Sequence, residues 1–349
     1  MQAAVAGFRN EGHTCGASAA LALLLSSPRV LDIVLRQSGT KGSVLEALHN
    51  IAVDAWRFGV GGRGEDHVVK TTRPLRALVG PPRDLQRFVG GHMVNALEIT
   101  QAVLEGVPQL RKLCELDATT VTTCECGFET RRSEAETSLL LPATSASIPL
   151  DFAARLEASL CMSRPAVVRD ARCGGCCSEG RMASGRFEVT AAGGVLVLSV
   201  VSDGADIVPS PLDPPPSIQV GGRSYKLRSV VVHHDMPSLH FTARSVALDD
   251  TCRAHDDACV TGIAGVRGAD AYMCLYELDD METSRGRVRD VTNGLRLLHG
   301  HLAARASPTR GAGQRTGRPF HGTVRSTCTL RPHPPAQRRE KRKEERKRR

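Results

Sequence analysis

Three groups of residues in this sequence could do chemistry: a cysteine on a glycine-rich turn, histidines with paired aspartates in a β-like region, and two cysteine pairs between them. The turn reads Gly7–Phe8–Arg9–Asn10–Glu11–Gly12–His13–Thr14–Cys15. It runs straight into Gly16–Leu25 (GASAALALLL), a strong helix former stopped by Ser26–Ser27–Pro28. A thiol at a helix N-terminus faces partial positive charge, which favours thiolate, the nucleophilic form. A buried structural cysteine at a helix start gives the same local pattern, so these residues alone leave both readings of Cys15 open. A cysteine nucleophile needs a base and a third group to orient that base. The β-like region offers His233, His234, His240 and His255 as bases. His240 alternates as in a strand within SLHFTA, and Asp256–Asp257 follow at hairpin distance. Two adjacent strands would therefore set a carboxylate beside it.

The cysteine pairs have metal-ligand spacing. Cys124–Glu125–Cys126–Gly127 follows a β-like VTT, and Cys173–Gly174–Gly175–Cys176–Cys177 comes about fifty residues later. Two pairs on tight glycine-containing knuckles match a tetrahedral zinc ribbon, with Cys124, Cys126, Cys173 and Cys176 as the ligands of a structural zinc. The first pair is CxC rather than CxxC. The alternative is a set of reduced, buried cysteines in a ribbon that has lost its metal.

The elements that must position these groups fall into successive regions. Residues 1–112 read mostly helical: Val30–Leu35 continues an apolar pattern, Val44–Trp56 has helical spacing, and Met93, Ala96, Leu97, Val103 and Leu104 fit a helix ending at Gly106 and Pro108. Residues 113–190 hold the cysteine pairs, LLLP (Leu139–Pro142) and an amphipathic Ile148–Leu160. Residues 191–280 read as an antiparallel sheet, with strands at Val195–Val201, Ser217–Val220, Tyr225–Val232, Leu239–Val246 and Ala271–Tyr276. A terminal helix is expected within 281–306 and a disordered tail over 307–349.

Composition excludes some classes. The net charge is +9, but the twelve residues from Arg338 to Arg349 carry nine basic and three acidic side chains, leaving +3 elsewhere. Any nucleic-acid contact therefore belongs to the tail, as weak salt-sensitive binding or a nuclear address. The 12 cysteines in so long a chain do not suggest a disulfide scaffold. No signal-like segment opens the sequence and no apolar run approaches the roughly 20 residues that span a bilayer, so a reducing compartment, nucleus or cytoplasm, is expected and no membrane partner.

Taken in order, the motifs resemble the ubiquitin-specific protease family of cysteine deubiquitinases over about residues 6–277. The family's cysteine box, roughly GLxNxGNTCYxNS, is matched at Gly7, Asn10, Gly12, Thr14 and Cys15. A second box, roughly QQDAxEFL, keeps Ala96 and Glu98, with Asn95 for aspartate. The histidine box, roughly YxLxxVVxHxG then GHYxA, is matched at Tyr225, Leu227, Val230, Val231 and His233, then at His240, Phe241 and Ala243. Asp256–Asp257 and Val260 match a trailing DDxxV, and Ala271–Tyr276 matches a final AYxLxY strand. The chain departs from the family at His13, Gly16, Asp235, Leu239 and Cys252.

The resemblance implies an α+β, papain-like cysteine protease fold: a helical thumb (1–112), zinc-ribbon-like fingers (113–190) and an antiparallel β palm (191–280). It implies Cys15 as nucleophile, His240 as base, Asp256 as its orienting acid with Asp257 assisting, and Asn10 as an oxyanion donor. The activity implied is hydrolysis at the C-terminal glycine of ubiquitin, with ubiquitin and ubiquitinated proteins as partners, no catalytic cofactor, and zinc only in the fingers. Two alternatives stand beside it: a weak or inactive ubiquitin-binding module on the same fold, and a zinc-ribbon nucleic-acid-binding protein using the basic tail.

Overall fold

The computed structural model describes residues 8, 15–37, 39–41, 43–61, 95–141, 151–164, 173–176, 182–200, 213–234, 240–247, 250–257, 259–266 and 271–280, with 286, 290, 291 and 293 as isolated positions; of 56–61, 161–164, 182–184 and 186 it describes the backbone alone. The chain divides into two units, Met1–Pro308 and Thr309–Arg349, and every described residue belongs to the first. The basic tail, Asn10, Met93, Leu239 and most of the expected terminal helix lie outside the described residues.

Five helices come first: α1 (Cys15–Leu25), α2 (Pro28–Arg36), α3 (Val44–Gly61), α4 (Ala96–Gly106) and α5 (Pro108–Cys114). All eleven residues of α1 are buried. A helix this short is marginal alone, so packing holds it. Its four leucines at 0% exposure contribute roughly 1.5–3 kcal/mol each. Gly16, Ala17, Ser18, Ala19, Ala20 and Ala22 keep its surface thin, letting a sheet and α4 approach from different sides. The hydroxyls of Ser26 and Ser229 converge on the Leu23 carbonyl at 2.7 and 3.0 Å, pinning the end of α1 to the sheet. Pro28 does more than stop α1: it opens α2, where a missing N–H costs nothing, and Ser27 caps it. Pro108 opens α5 in the same way, a helix the sequence pattern did not announce.

The strands form two sheets. The smaller has the order β2 (Glu129–Glu136), β1 (Leu116–Cys124), β5 (Met182–Ala192), β4 (Cys161–Arg164). The larger has eight strands: β11 (Cys259–Ile263), β10 (Cys252–Asp256), β9 (His240–Val246), β8 (Arg223–His234), β12 (Ala271–Leu278), β6 (Val195–Val200) and β3 (Leu139–Leu141), with β7 (Ser217–Val220) paired to β8. Pairing is antiparallel except between β3 and β6, which run parallel. The LLL segment thus joins the larger sheet although its neighbours in sequence build the smaller one. A nine-residue helix, α6 (Phe152–Leu160), packs on β3.

The larger sheet is buried on both faces, which is why β6, β8 and β12 read as continuous apolar runs. Val195, Val197, Val231, Phe241, Ala243, Met273 and Leu275 face the helices. Leu196, Leu198, Val230, Val232, Cys274 and Tyr276 share a second core with Phe152 and Leu156 of α6. A buried ion-pair group ties α2 to this sheet: Arg29 Nε lies 3.3 Å and Arg228 Nε 3.5 Å from the Glu277 carboxylate, and Arg29 Nη2 lies 2.6 Å from Asp280. No described helix by itself is long and apolar enough to cross a membrane; α1 and α2 qualify only as a pair bent by 94°.

Candidate active site and cysteine cluster

Cys15 is the first residue of α1, His240 the first of β9 and Asp256 the last of β10. The β9–β10 register sets His255 opposite Ala243, so Asp256 falls on the sheet face that carries His240 and Thr242. The His240 Nε2–Asp256 Oδ1 distance is 2.7 Å, and Asp257 Oδ2 lies 4.0 Å from the same nitrogen. The Cys15 side chain is close enough to the His240 ring to favour its charged form. Sulfur, imidazole and carboxylate therefore converge from three elements.

A backbone contact ties the cysteine turn to the acidic hairpin. The Phe8 N–H donates to the Asp257 carbonyl at 2.8 Å, and the Phe8 ring is 1% exposed. Asp257 begins the two-residue turn between β10 and β11 in the left-handed region, at φ 49°, which aspartate tolerates better than most residues.

Electrostatics follow from these contacts. The hydrogen bond to Asp256, then the nearby Cys15 side chain, raises the His240 pKa to about 10, against an opposing push from burial. The same bond holds the Asp256 carboxyl below its ordinary range. A cationic imidazole beside sulfur is the partner a thiolate requires.

Of the other candidate bases, the His233 and His255 side chains point away from Asp256 and His234 lies beside His240. His233 is buried on the helix-facing side, its ring 4.6 Å from Phe241 and 6.0 Å from Tyr272. His255 is buried, with Nε2 2.8 Å from the Ser245 hydroxyl, and burial followed by the nearby Arg253 lowers its pKa to about 4. His234 sits directly opposite His240 in the β8–β9 ladder.

The four cysteines form a second cluster. Cys124 Sγ lies 3.8 Å from Cys176 Sγ and Cys126 Sγ 3.6 Å from Cys173 Sγ, and all four sulfurs lie within 4.8 Å of one another. A tetrahedron with zinc–sulfur bonds of about 2.3 Å has sulfur–sulfur edges of about 3.8 Å, so the donor set fits one zinc ion. Backbone N–H groups of Cys176 and Gly175 point at Cys173 Sγ and lower its pKa, which favours the thiolate a metal needs. The CxC spacing works because the turn at Gly127, φ 84°, closes the first knuckle with a Gly127 N–H bond to the Cys124 carbonyl. Phe128 then lies flat on the second knuckle, where a Cβ on Gly175 would come within 2.9 Å of its ring.

No family model and no curated protein matches this sequence. Solved structures do. The SAGA deubiquitinating module of Ubp8, Sgf11, Sus1 and Sgf73 bound to monoubiquitin matches with TM-score 0.62 at 15% identity, over 79% of this chain and 69% of the other. The fold is that of the ubiquitin-specific protease Ubp8. The yeast module with a mutant Sgf73 gives TM-score 0.61 at 15% identity, over 79% and 69% of the two chains. The module bound to ubiquitin aldehyde gives 0.61 at 14%, over 79% and 70%. At this identity the likeness to Ubp8 is one of fold, and the Cys15–His240–Asp256 contact is a property of this chain's own residues. Within the Ubp8-like fold, three further contacts near the site had no local signal in sequence: Phe8 to Asp257, His234 to Thr242, and Tyr272 Oη to Asn95 Oδ1 at 3.1 Å. The last also receives the Leu97 N–H at 2.9 Å, so the Asn95 that stands for aspartate in the second box caps α4 and links it to β12.

Proposed function

We propose that this protein is a cysteine-type deubiquitinase that hydrolyses the isopeptide bond at the C-terminal glycine of ubiquitin. The observation that supports it most is the meeting of Cys15, His240 and Asp256 in a Ubp8-like fold. The Cys15 sulfur attacks the glycine carbonyl carbon while His240 holds its proton. Asp256 fixes the ring so that Nε2 faces the carboxylate and the other nitrogen faces sulfur, and Asp257 assists at longer range. Asn10 and the Cys15 backbone N–H donate to the oxyanion, each worth roughly 3 kcal/mol in a site of this kind. His240 passes its proton to the leaving lysine amine as the tetrahedral adduct collapses. Water, deprotonated by His240, then cleaves the thioester and restores the thiol.

Cys124, Cys126, Cys173 and Cys176 hold one structural zinc, which stiffens the smaller sheet and takes no part in the reaction. The ubiquitin bound to the similar SAGA module supports ubiquitinated proteins as partners here. Free cysteines throughout the described residues suit a reducing compartment, the nucleus or cytoplasm. A ubiquitin vinyl-type probe should label wild-type protein at Cys15 and leave Cys15→Ala unlabelled. Equal labelling of both proteins refutes the assignment. Ubiquitin binding with no turnover of a fluorogenic ubiquitin substrate selects the inactive binding module instead.

A further inference from the structure

His233 and His234 are consecutive on β8, so their side chains leave the sheet on opposite faces. His233 enters the core among Phe241 and Tyr272. His234 joins the face that carries His240, Thr242 and Asp256. Its register partner is His240 itself, the last rung of the β8–β9 ladder. The two imidazoles lie 6.1 Å apart at 23°, near-parallel and offset. His234 Nε2 is 2.8 Å from Thr242 Oγ1, so its ring is tethered across the strands and not free to swing. The charge of His234 also reaches the Asp256 carboxylate and helps lower its pKa.

These contacts complement those of His240. Asp256 acts on the edge of the His240 ring, at Nε2, while the near-parallel His234 ring stands against its face and limits how far it can turn about the Cβ–Cγ bond. We propose that His234, tethered by Thr242, is a positioning residue that holds the His240 imidazole in the plane where it meets Cys15 and Asp256 at once.

The kinetic part of this inference rests on the deubiquitinase reading, and the chemical part does not. The test uses the full chain with His234→Ala, which removes the ring, His234→Phe, which keeps a flat ring without the tether, and Thr242→Val, which cuts the tether alone. Iodoacetamide alkylation of Cys15, followed by peptide mass spectrometry across pH, reads the thiol–imidazole pair without any ubiquitin. Steady-state hydrolysis of a fluorogenic ubiquitin substrate separates kcat from KM.

His234→Ala should slow neutral-pH alkylation of Cys15 and lower kcat by about ten-fold with KM unchanged, the upper range for one ring–ring contact. His234→Phe should restore most of both, and Thr242→Val should cost about three-fold. Alkylation by His234→Ala at the wild-type rate and pH profile overturns the inference. So does a His234→Phe variant as slow as His234→Ala, because the ring would then not be the active feature. If wild-type protein fails to hydrolyse ubiquitin substrates, the deubiquitinase reading falls, while the alkylation profiles still decide the role of His234.

Discussion

Removing the Asp256 carboxylate should lower the pKa of His240 by about one unit and slow any reaction that uses it. Asp256→Asn keeps the shape and an oxygen acceptor but loses the charge. The bond is short, 2.7 Å, and charge-assisted, which by itself is worth about 1.5–3 kcal/mol. The Asp256 side chain is 50% exposed, so solvent screening leaves about 1.5 kcal/mol, or roughly one pKa unit. His240 should then titrate about one unit below its present value of about 10, because Cys15 and Asp257 still favour the cation. The linkage has a definite sign. His240 is raised from 6.5, so its contribution to stability is complete below 6.5 and fades as pH rises through about 10. Asp256 is lowered from 3.8, so its contribution is complete above 3.8 and is lost as pH falls through its folded value. Histidine-selective NMR titration of wild type and Asp256→Asn measures the shift, and turnover of a ubiquitin substrate should fall about 10–100-fold. An unchanged His240 titration in Asp256→Asn refutes the pairing, and a larger change in Asp257→Asn moves the orienting role to that residue.

Three other perturbations have worked outcomes. Cys173→Ser should reduce metal content from about one zinc per chain to none and lower the melting temperature, while Cys252→Ser, outside the cluster, should leave the metal in place; a colorimetric zinc assay with thermal melts decides. Glu277→Gln leaves Arg29 and Arg228 buried without their shared carboxylate, and since Asp280 still partners Arg29 the loss should be about 3 kcal/mol by urea denaturation. The His255 pKa is lowered from 6.5 to about 4, so its neutral form contributes stability above 6.5 that drains away as pH falls towards 4. Wild type should lose about 2 kcal/mol from this group between roughly pH 7.5 and 5, and His255→Leu should not show that loss; denaturation midpoints at the two pH values test it.

Local patterns are legible in this chain wherever one residue's neighbours in sequence are also its neighbours in space. Gly16–Leu25 announces α1 because alanine and leucine, which dominate it, are strong helix formers, and the structure buries that helix on all sides. The alternation around His240 and the aspartate pair announce a hairpin-like approach, and the strands form at those places. The metal-ligand spacing survives its irregular first pair because Gly127 can take a positive φ. Where sequence reasoning fell short, a distant partner decided. Pro108 looked like a terminator and became a helix start, since nothing local forbids either. Leu139–Leu141 carries no sign that it will run parallel to β6 in another sheet.

Sequence by itself determined the helices at Cys15–Leu25, Val44–Gly61 and Ala96–Gly106, five strands of the larger sheet (β6, β7, β8, β9 and β12), the cysteine knuckles and the order of the motifs, all of which depend on side-chain periodicity and turn chemistry. The sequence singled out His240 among four histidines through the aspartate pair that follows it and the family resemblance, but only tertiary structure brings it towards Cys15. More than two hundred residues separate the two, and closing that loop depends on α1 packing and on the β8–β9–β10 register. A slip of one residue in that register would carry His240 to the opposite face of the sheet and bring a neighbour in its place.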